Sequence, residues 1–195
     1  RTFEDYLPSN HVNLVDFSNS SNPVVTKMRS MKHPRADSNS TILPDGTVFV
    51  NGGHSYRETE FSVLIPEIYN YQNNEWYEMS PGTLRRNYHA SSLLLPNGTV
   101  LVAGGDTWSA EIYYPPYLFE EAKNNKTVFA KRPIIKNLDK KIMNRNNIKL
   151  QLDNADDISN ITLISTGSVT HSQNSELKFQ NLNFKYLDKE NISFN

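Results

Sequence analysis

The segment Thr41 to Gly53, TILPDGTVFVNGG, returns 52 residues later as LLLPNGTVLVAGG at Leu93 to Gly105. Eight of the 13 positions are identical. A chain that repeats itself at a period near 50 residues builds like units side by side, because one such unit cannot bury its own hydrophobic face. Both copies read alike: a strand, a hairpin turn of Pro-Asp-Gly or Pro-Asn-Gly, and a return strand ending in Gly-Gly. Glycine after Asp or Asn can take the positive φ that the turn needs. The glycine pair lets backbones approach where a side chain would clash. Leu93 to Leu95 predicts an inner, buried strand.

A period of about 50 residues is that of kelch-type β-propeller blades. After the first copy, IPEIYNYQNNEWYEM (Ile65 to Met79) predicts two outer strands, with Tyr69, Trp76 and Met79 packing between blades. VNLVDFSNSSNPVVTKM (Val12 to Met28) has the same shape and reads as the outer half of a preceding blade. AEIYYPPYL (Ala110 to Leu118) repeats the PEIYNY strand. The character changes near Arg132-Pro133. RPIIKN, NNIKLQLDN, ISNITLISTGSVTHS, LKFQNLNFKYL and NISFN are short alternating strands, the pattern of an immunoglobulin-like β-sandwich. The expected fold is all-β: kelch propeller blades over residues 1–131, then an incomplete sandwich over 132–195. Only LFEEAKNN (Leu118 to Asn125) could form a helical turn. A propeller closes with about four or more blades and a sandwich usually has about seven strands. Two and a half blades and five strands therefore predict a piece of a larger protein.

Composition narrows the partners. The chain has 20 basic and 21 acidic residues and a net charge of −1, with no basic run to attract nucleic acid or an anionic membrane. No apolar run approaches the roughly 20 residues that span a bilayer. The first residues, without Met, do not read as a signal peptide. There is no cysteine. Six N-x-S/T sequons, at Asn19, Asn39, Asn97, Asn125, Asn160 and Asn191, point toward secretion and glycosylation.

Tyr88-His89, just before the second copy, has two readings: aromatic packing at a blade top with the His bonded to a backbone carbonyl, or part of a metal site. Here the order of motifs becomes specific. A kelch repeat, then RRNYHASSLLLPNGTVLVAGG, AEIYYPPYLF, KRPII and a sandwich carrying VTHS together resemble the C-terminal half of the galactose oxidase and glyoxal oxidase family of copper radical oxidases. The resemblance runs from about Val12 to about Leu182. It implies one copper ion on the axis of a seven-bladed propeller, of which these are the last two or three blades. It implies two His ligands, an equatorial Tyr cross-linked to a Cys that carries a radical, and an axial Tyr that takes the substrate proton. By motif, Tyr88 is the axial Tyr, His89 the adjacent ligand and His171 the second His. The cross-linked Tyr and Cys would precede Arg1.

The chemistry agrees with that assignment. Neutral imidazole suits Cu(II), which favours a tetragonal N/O set. Adjacent residues on a strand face opposite ways, so Tyr88 and His89 can reach one ion only where the strand bends. A phenol with an ordinary pKa near 10 loses its proton more easily beside a cation, which lets Tyr88 act as a base. His54, Tyr56 and Arg57 fall on the loop that the resemblance places at the substrate mouth, and a solvated surface loop is an equal reading. Asp37 stands in the first copy where the Tyr-His pair stands in the second, so that blade offers no ligand. Arg35 and Arg86 read as structural, bonding blade-top carbonyls. His11 and His33 read as surface residues without partners.

The resemblance implies oxidation of a primary alcohol, aldehyde or sugar by O2 to give hydrogen peroxide, in an extracellular enzyme whose partners are the small substrate, O2 and the remaining blades. Two departures bear on the substrate: the run after VTHS, QNSELKF, lacks the family's usual arginine, and the loop from Gly53 to Pro66 is short. The alternative is a relative that kept the scaffold without the chemistry, as an interaction, structural or carbohydrate-binding subunit.

Overall fold

The computed structural model describes residues 7–56, 61–105, 107–122, 126–138 and 148–194. Its strands are β1 (Asn13–Asp16), β2 (Val24–Lys27), β3 (Ala36–Ile42), β4 (Val48–His54), β5 (Glu67–Asn70), β6 (Glu75–Glu78), β7 (Ala90–Leu94), β8 (Val100–Gly104) and β9 (Ala110–Tyr113). After these come β10 (Phe119–Glu121), β11 (Thr127–Phe129), β12 (Ile135–Leu138), β13 (Ile148–Leu152), β14 (Ile161–Ile164), β15 (Val169–Thr170), β16 (Gln173–Asn174), β17 (Phe179–Leu182), β18 (Phe184–Tyr186) and β19 (Asn191–Phe194). Among the described residues the only helical segments are short 3₁₀ turns, and no helix is long and apolar enough to cross a membrane.

The chain forms two compact units, Arg1–Pro115 with Thr166–Leu177, and Pro116–Ser165 with Lys178–Asn195. The units part after Pro115, whereas the sequence changes character near Arg132. The stretch between them is taken up by β10 and β11, which pair with each other.

The first unit is built on the repeat. β3-β4-β5-β6 is an antiparallel meander, and β7-β8-β9 is a second one. The two hairpin turns are the same object. Gly46 N–H donates to the Leu43 carbonyl at 2.9 Å and Gly98 N–H to the Leu95 carbonyl at 2.9 Å, with φ of +83° and +81°. In each turn the Asp45 or Asn97 side chain accepts from the threonine two residues on, the turn chemistry expected of Pro-Asx-Gly. β1 and β2 form a separate hairpin, the strand, polar turn and strand read from Val12 to Met28.

The two meanders lie against each other through β3 and β7. Thr41 Oγ1 lies 2.9 Å from Ser92 Oγ, both side chains fully buried. Phe49 stacks on Tyr113 with ring centroids 4.4 Å apart, and burial pushes the Tyr113 phenol up to about 12. The glycine pair has the role its position predicts. A Cβ on Gly52 (φ +69°) would lie 2.1 Å from the Arg86 carbonyl oxygen, and Gly53 N–H donates to that same oxygen at 2.8 Å. Only residues without Cβ let the backbone leading to Tyr88 come this close.

Three expectations change. Leu93, Leu94 and Leu95 are half-buried. The residues that β7 buries are Ala90 and Ser92 instead, and Ser92 is the one that meets Thr41 of β3. Phe119–Glu121 is strand β10 and not a helical turn; Phe119 faces Phe129 across the pair, rings stacked at 5.0 Å, a cross-strand contact that favours the extended form. His33 has a partner, since its Nε2 lies 2.7 Å from Glu78 Oε1; His11 is exposed. Tyr69 and Trp76 pack as expected, buried with Val50, while Met79 is half-buried.

The second unit contains the four-stranded sheet β12-β13-β19-β18 and the pair β14-β17. Period-2 alternation sends Ile148, Leu150, Leu152, Ile192 and Phe194 into one core, with Ile161, Leu182 and Phe184 packed on it. Each segment read as a strand after Arg132 contains one.

Candidate metal centre

Strand alternation would send Tyr88 and His89 to opposite faces. The backbone prevents that. His89 has φ +63°, and Ala90 N–H donates to the Asn87 carbonyl at 2.9 Å, closing a turn just before β7. The bend folds the two side chains together, rings stacked at 3.9 Å between centroids. A left-handed conformation costs a non-glycine residue about 1–2 kcal/mol and persists where the surroundings enforce it. Here Arg86 and Asn87 supply that enforcement. Both are buried, and Asn87 Nδ2 donates to Ser62 Oγ at 2.9 Å.

The partner comes from 82 residues away. Thr166–Leu177 belongs to the first unit although the chain on both sides belongs to the second. Within it, β15 and β16 pair Thr170 with Gln173, leaving His171 and Ser172 as a two-residue loop with φ of +50° and +64°. This is the backbone of a type I′ hairpin turn, built here without glycine. The hairpin lies against β7 and β3. Its tip puts His171 Nε2 at 3.2 Å from His89 Nε2, the rings nearly perpendicular at 88°. The Tyr88 ring stands 5.7 Å from the His171 ring. Thr170 Oγ1 lies 2.7 Å from His171 Nδ1, which fixes the ring with Nε2 outward. All three rings are exposed in this chain.

Two nitrogens that each bind one ion at about 2.0 Å lie at most about 4 Å apart. The 3.2 Å separation of the two Nε2 atoms satisfies that limit, as does a neutral N–H···N hydrogen bond between the rings. Among the described residues no group of three or more His, Cys, Asp and Glu is placed to hold a metal. Any ion here would thus rely on the two imidazoles, the phenol and groups beyond those residues.

The first meander uses the same bend for another purpose. Asp37 has φ +56°, and its Oδ2 lies 3.1 Å from His54 Nε2; His54 Nδ1 contacts the Tyr56 carbonyl. His54 is thereby tied into its own meander, and neither it nor Asp37 joins the His89–His171 pair. Arg57 lies outside the described residues.

Arg35 and Arg86 hold backbone carbonyls as expected. Arg35 donates to Gly52 O at 2.8 Å, and Arg86 to Gly104 O at 3.1 Å and Ser109 O at 2.9 Å. Sequence reading missed their acidic partners. Arg35 pairs with Glu67 at 2.8 Å, both side chains wholly buried; burial lowers the guanidinium from its ordinary value, and Glu67 offsets part of that. Arg86 pairs with Glu111 at 3.3 Å. The signal was available, because Glu67 and Glu111 are the shared acid of PEIY and AEIY.

No protein-family profile matches the chain. Galactose oxidase of Gibberella zeae is 32% identical over 149 residues, 70% of this chain and 21% of that protein. Aldehyde oxidase GLOX1 of Arabidopsis thaliana is 31% identical over 111 residues, 51% of this chain and 18% of that protein. The chain thus spans about a fifth of the length of these curated relatives. A solved fungal alcohol oxidase of the AA5 family, in complex with copper, superposes with a TM-score of 0.85 at 22% identity, over 99% of this chain and 42% of that one; at that identity the likeness speaks to the fold. Over the stretch it spans, the chain belongs to the family of the galactose oxidases and glyoxal oxidases.

Proposed function

We propose that this chain carries the copper-binding part of a copper radical oxidase, with Tyr88, His89 and His171 as metal ligands. The observation that carries the reading is the pair of Nε2 atoms 3.2 Å apart, delivered by two left-handed turns distant in sequence. The donor set fits copper, since two imidazoles and a phenol are the N/O ligands that Cu(II) favours. Bound copper would supply the one-electron partner of the oxidation and a positive charge that eases loss of the Tyr88 proton. Tyr88 then accepts the hydroxyl proton of a primary alcohol, or of a hydrated aldehyde. Overall, the alcohol loses two hydrogens to become a carbonyl, and O2 gains them to become hydrogen peroxide. The Thr170 contact holds the His171 ring in orientation, as outer partners of ligating histidines do.

In this reading the two meanders are consecutive kelch blades of a seven-bladed propeller, residues 1–131, and residues 132–195 belong to an immunoglobulin-like sandwich. The cross-linked Tyr and Cys come from elsewhere in the protein, since this chain has no cysteine. Secretion is supported by the exposed sequon asparagines at Asn19 and Asn160; Asn97 holds the turn through Thr99, which is 2% exposed. Asn39 is 1% exposed and is no glycan acceptor in the folded protein.

The test is a hydrogen peroxide assay on the copper-loaded full-length protein with simple alcohols, aldehydes and sugars. Peroxide formation that disappears in His171→Ala supports the reading. Tight copper binding without peroxide would leave a metal-holding scaffold. Absence of copper binding favours the carbohydrate-binding or interaction alternative.

A further inference from the structure

The two legs of the short loop from Gly53 to Pro66 are stitched to each other. Ser55 N–H donates to the Phe61 carbonyl at 2.9 Å and Val63 N–H to the Gly53 carbonyl at 2.8 Å, and His54 and Ser62 are bridged between them. Ser62 is thereby held in place in the first meander. The stitched legs lie beside the segment that leads to Tyr88. Gly53 N–H donates to the Arg86 carbonyl at 2.8 Å, and one residue on, Asn87 Nδ2 donates to Ser62 Oγ at 2.9 Å.

Asn87 carries that contact into the turn of the candidate metal centre. Its carbonyl accepts from Ala90 N–H at 2.9 Å and so closes the turn around Tyr88 and His89. The residue is 2% exposed, and a Cβ on Gly105 would sit 3.3 Å from its backbone nitrogen, so the end of β8 confines it from another side. One residue thus serves two structures, its carbonyl the turn and its side-chain amide the neighbouring meander. Without the Ser62 hydroxyl that amide would be buried with a donor unmet, which favours any shift that lets it reach water. The turn that holds both rings would shift with it.

We infer that Ser62 and Asn87 are positioning residues for the metal centre. The hydrogen bond between them sets the tilt of the Tyr88–His89 turn, so the loop of the first meander fixes the ligand geometry of the second. Both act through the backbone of residues 87–90 and not by contact with the ion. Outer partners that orient ligands typically change metal affinity by about 10–100-fold when removed, because the ligands are then no longer held ready for the ion. The inference rests on the copper-oxidase reading only for which ion binds and what reaction follows.

The experiment compares wild type, Ser62→Ala, Ser62→Thr and Asn87→Ala of the full-length protein. In the metal-free protein, the Ala90 amide exchanges its hydrogen roughly five- to tenfold faster in both alanine variants, the effect of losing one buried hydrogen bond. The Leu95 amide, bonded to the Thr99 carbonyl just beyond β7, keeps its rate. With Cu(II), both alanine variants bind the ion about 10–100-fold more weakly. Their electron paramagnetic resonance spectra keep the coupling to two imidazole nitrogens, while the g and copper hyperfine values move away from those of wild type. Ser62→Thr keeps the hydroxyl acceptor and matches wild type in each reading. If these changes appear but no form of the protein makes peroxide, the oxidase reading fails and the positioning role stands. Unchanged Ala90 exchange, or unchanged copper affinity and spectrum in Ser62→Ala, overturns the role whether or not peroxide forms. It is also overturned if Leu95 exchange rises as much as that of Ala90, since the hydrogen bond would then only support the fold as a whole.

Discussion

At the scale of single residues, the centre depends on backbone conformations that side chains of this kind seldom adopt. His89, His171 and Ser172 all have positive φ, and without those turns Tyr88 and His89 would point apart and His171 would not stand at a hairpin tip. Sequence could nominate the residues, because Tyr-His and Thr-His-Ser stand out as motifs. It could not reveal the bends, because a two-residue turn of this type normally announces itself with Asn-Gly, and His-Ser carries no such mark. Thr170 was passed over for a similar reason: a threonine beside a histidine says nothing until its hydroxyl is seen on Nδ1. The division of labour among the three rings is testable. Tyr88→Phe keeps both imidazoles, so it should retain copper, measured by metal content after dialysis. It should lower kcat by about 10²–10⁴-fold, the usual contribution of one acid–base group.

At the scale of elements, each meander is tied together by one arginine and one glutamate. Arg35 gathers Gly52, Ile65 and Glu67, and Glu67 also accepts from the backbone of Lys32 at 2.7 Å. Glu67→Ala leaves the Arg35 charge buried without its partner and should destabilise the protein by about 3–5 kcal/mol, seen as a shifted midpoint in chemical unfolding. The second pair is more exposed and responds to pH. Burial opposes ionisation of Glu111, but hydrogen bonds from Thr83 and the charge of Arg86 prevail and hold its carboxyl below the usual range. A depressed carboxyl adds stability above its ordinary pKa of about 4.3, and that stability is lost as pH falls through the depressed value. Glu111→Gln should therefore lower Tm near neutral pH, and the gap to wild type should close toward about pH 3. The hairpin turns and the glycine pair were legible beforehand because Pro-Asx-Gly and Gly-Gly have local causes. The half-burial of Leu93 to Leu95 was not, since it depends on what packs against β7 from parts of the chain distant in sequence.

At the scale of the whole molecule, the all-β character and the positions of the described strands after Arg132 other than β16 followed from alternation and turn residues. Membership of residues 166–177 in the first unit did not, because nothing local marks a segment that packs away from its sequence neighbours; only the family resemblance implied that His171 rides on a loop sent from the sandwich into the propeller. That placement is what turns two families of motifs into one centre. It also ties the account to a single claim: His89 and His171 share one copper ion. The most direct measurement is electron paramagnetic resonance of the full-length protein loaded with one equivalent of Cu(II). The account predicts nitrogen superhyperfine coupling from two imidazoles in wild type and from one in His171→Ala and in His89→Ala. A spectrum unchanged by either substitution would contradict it.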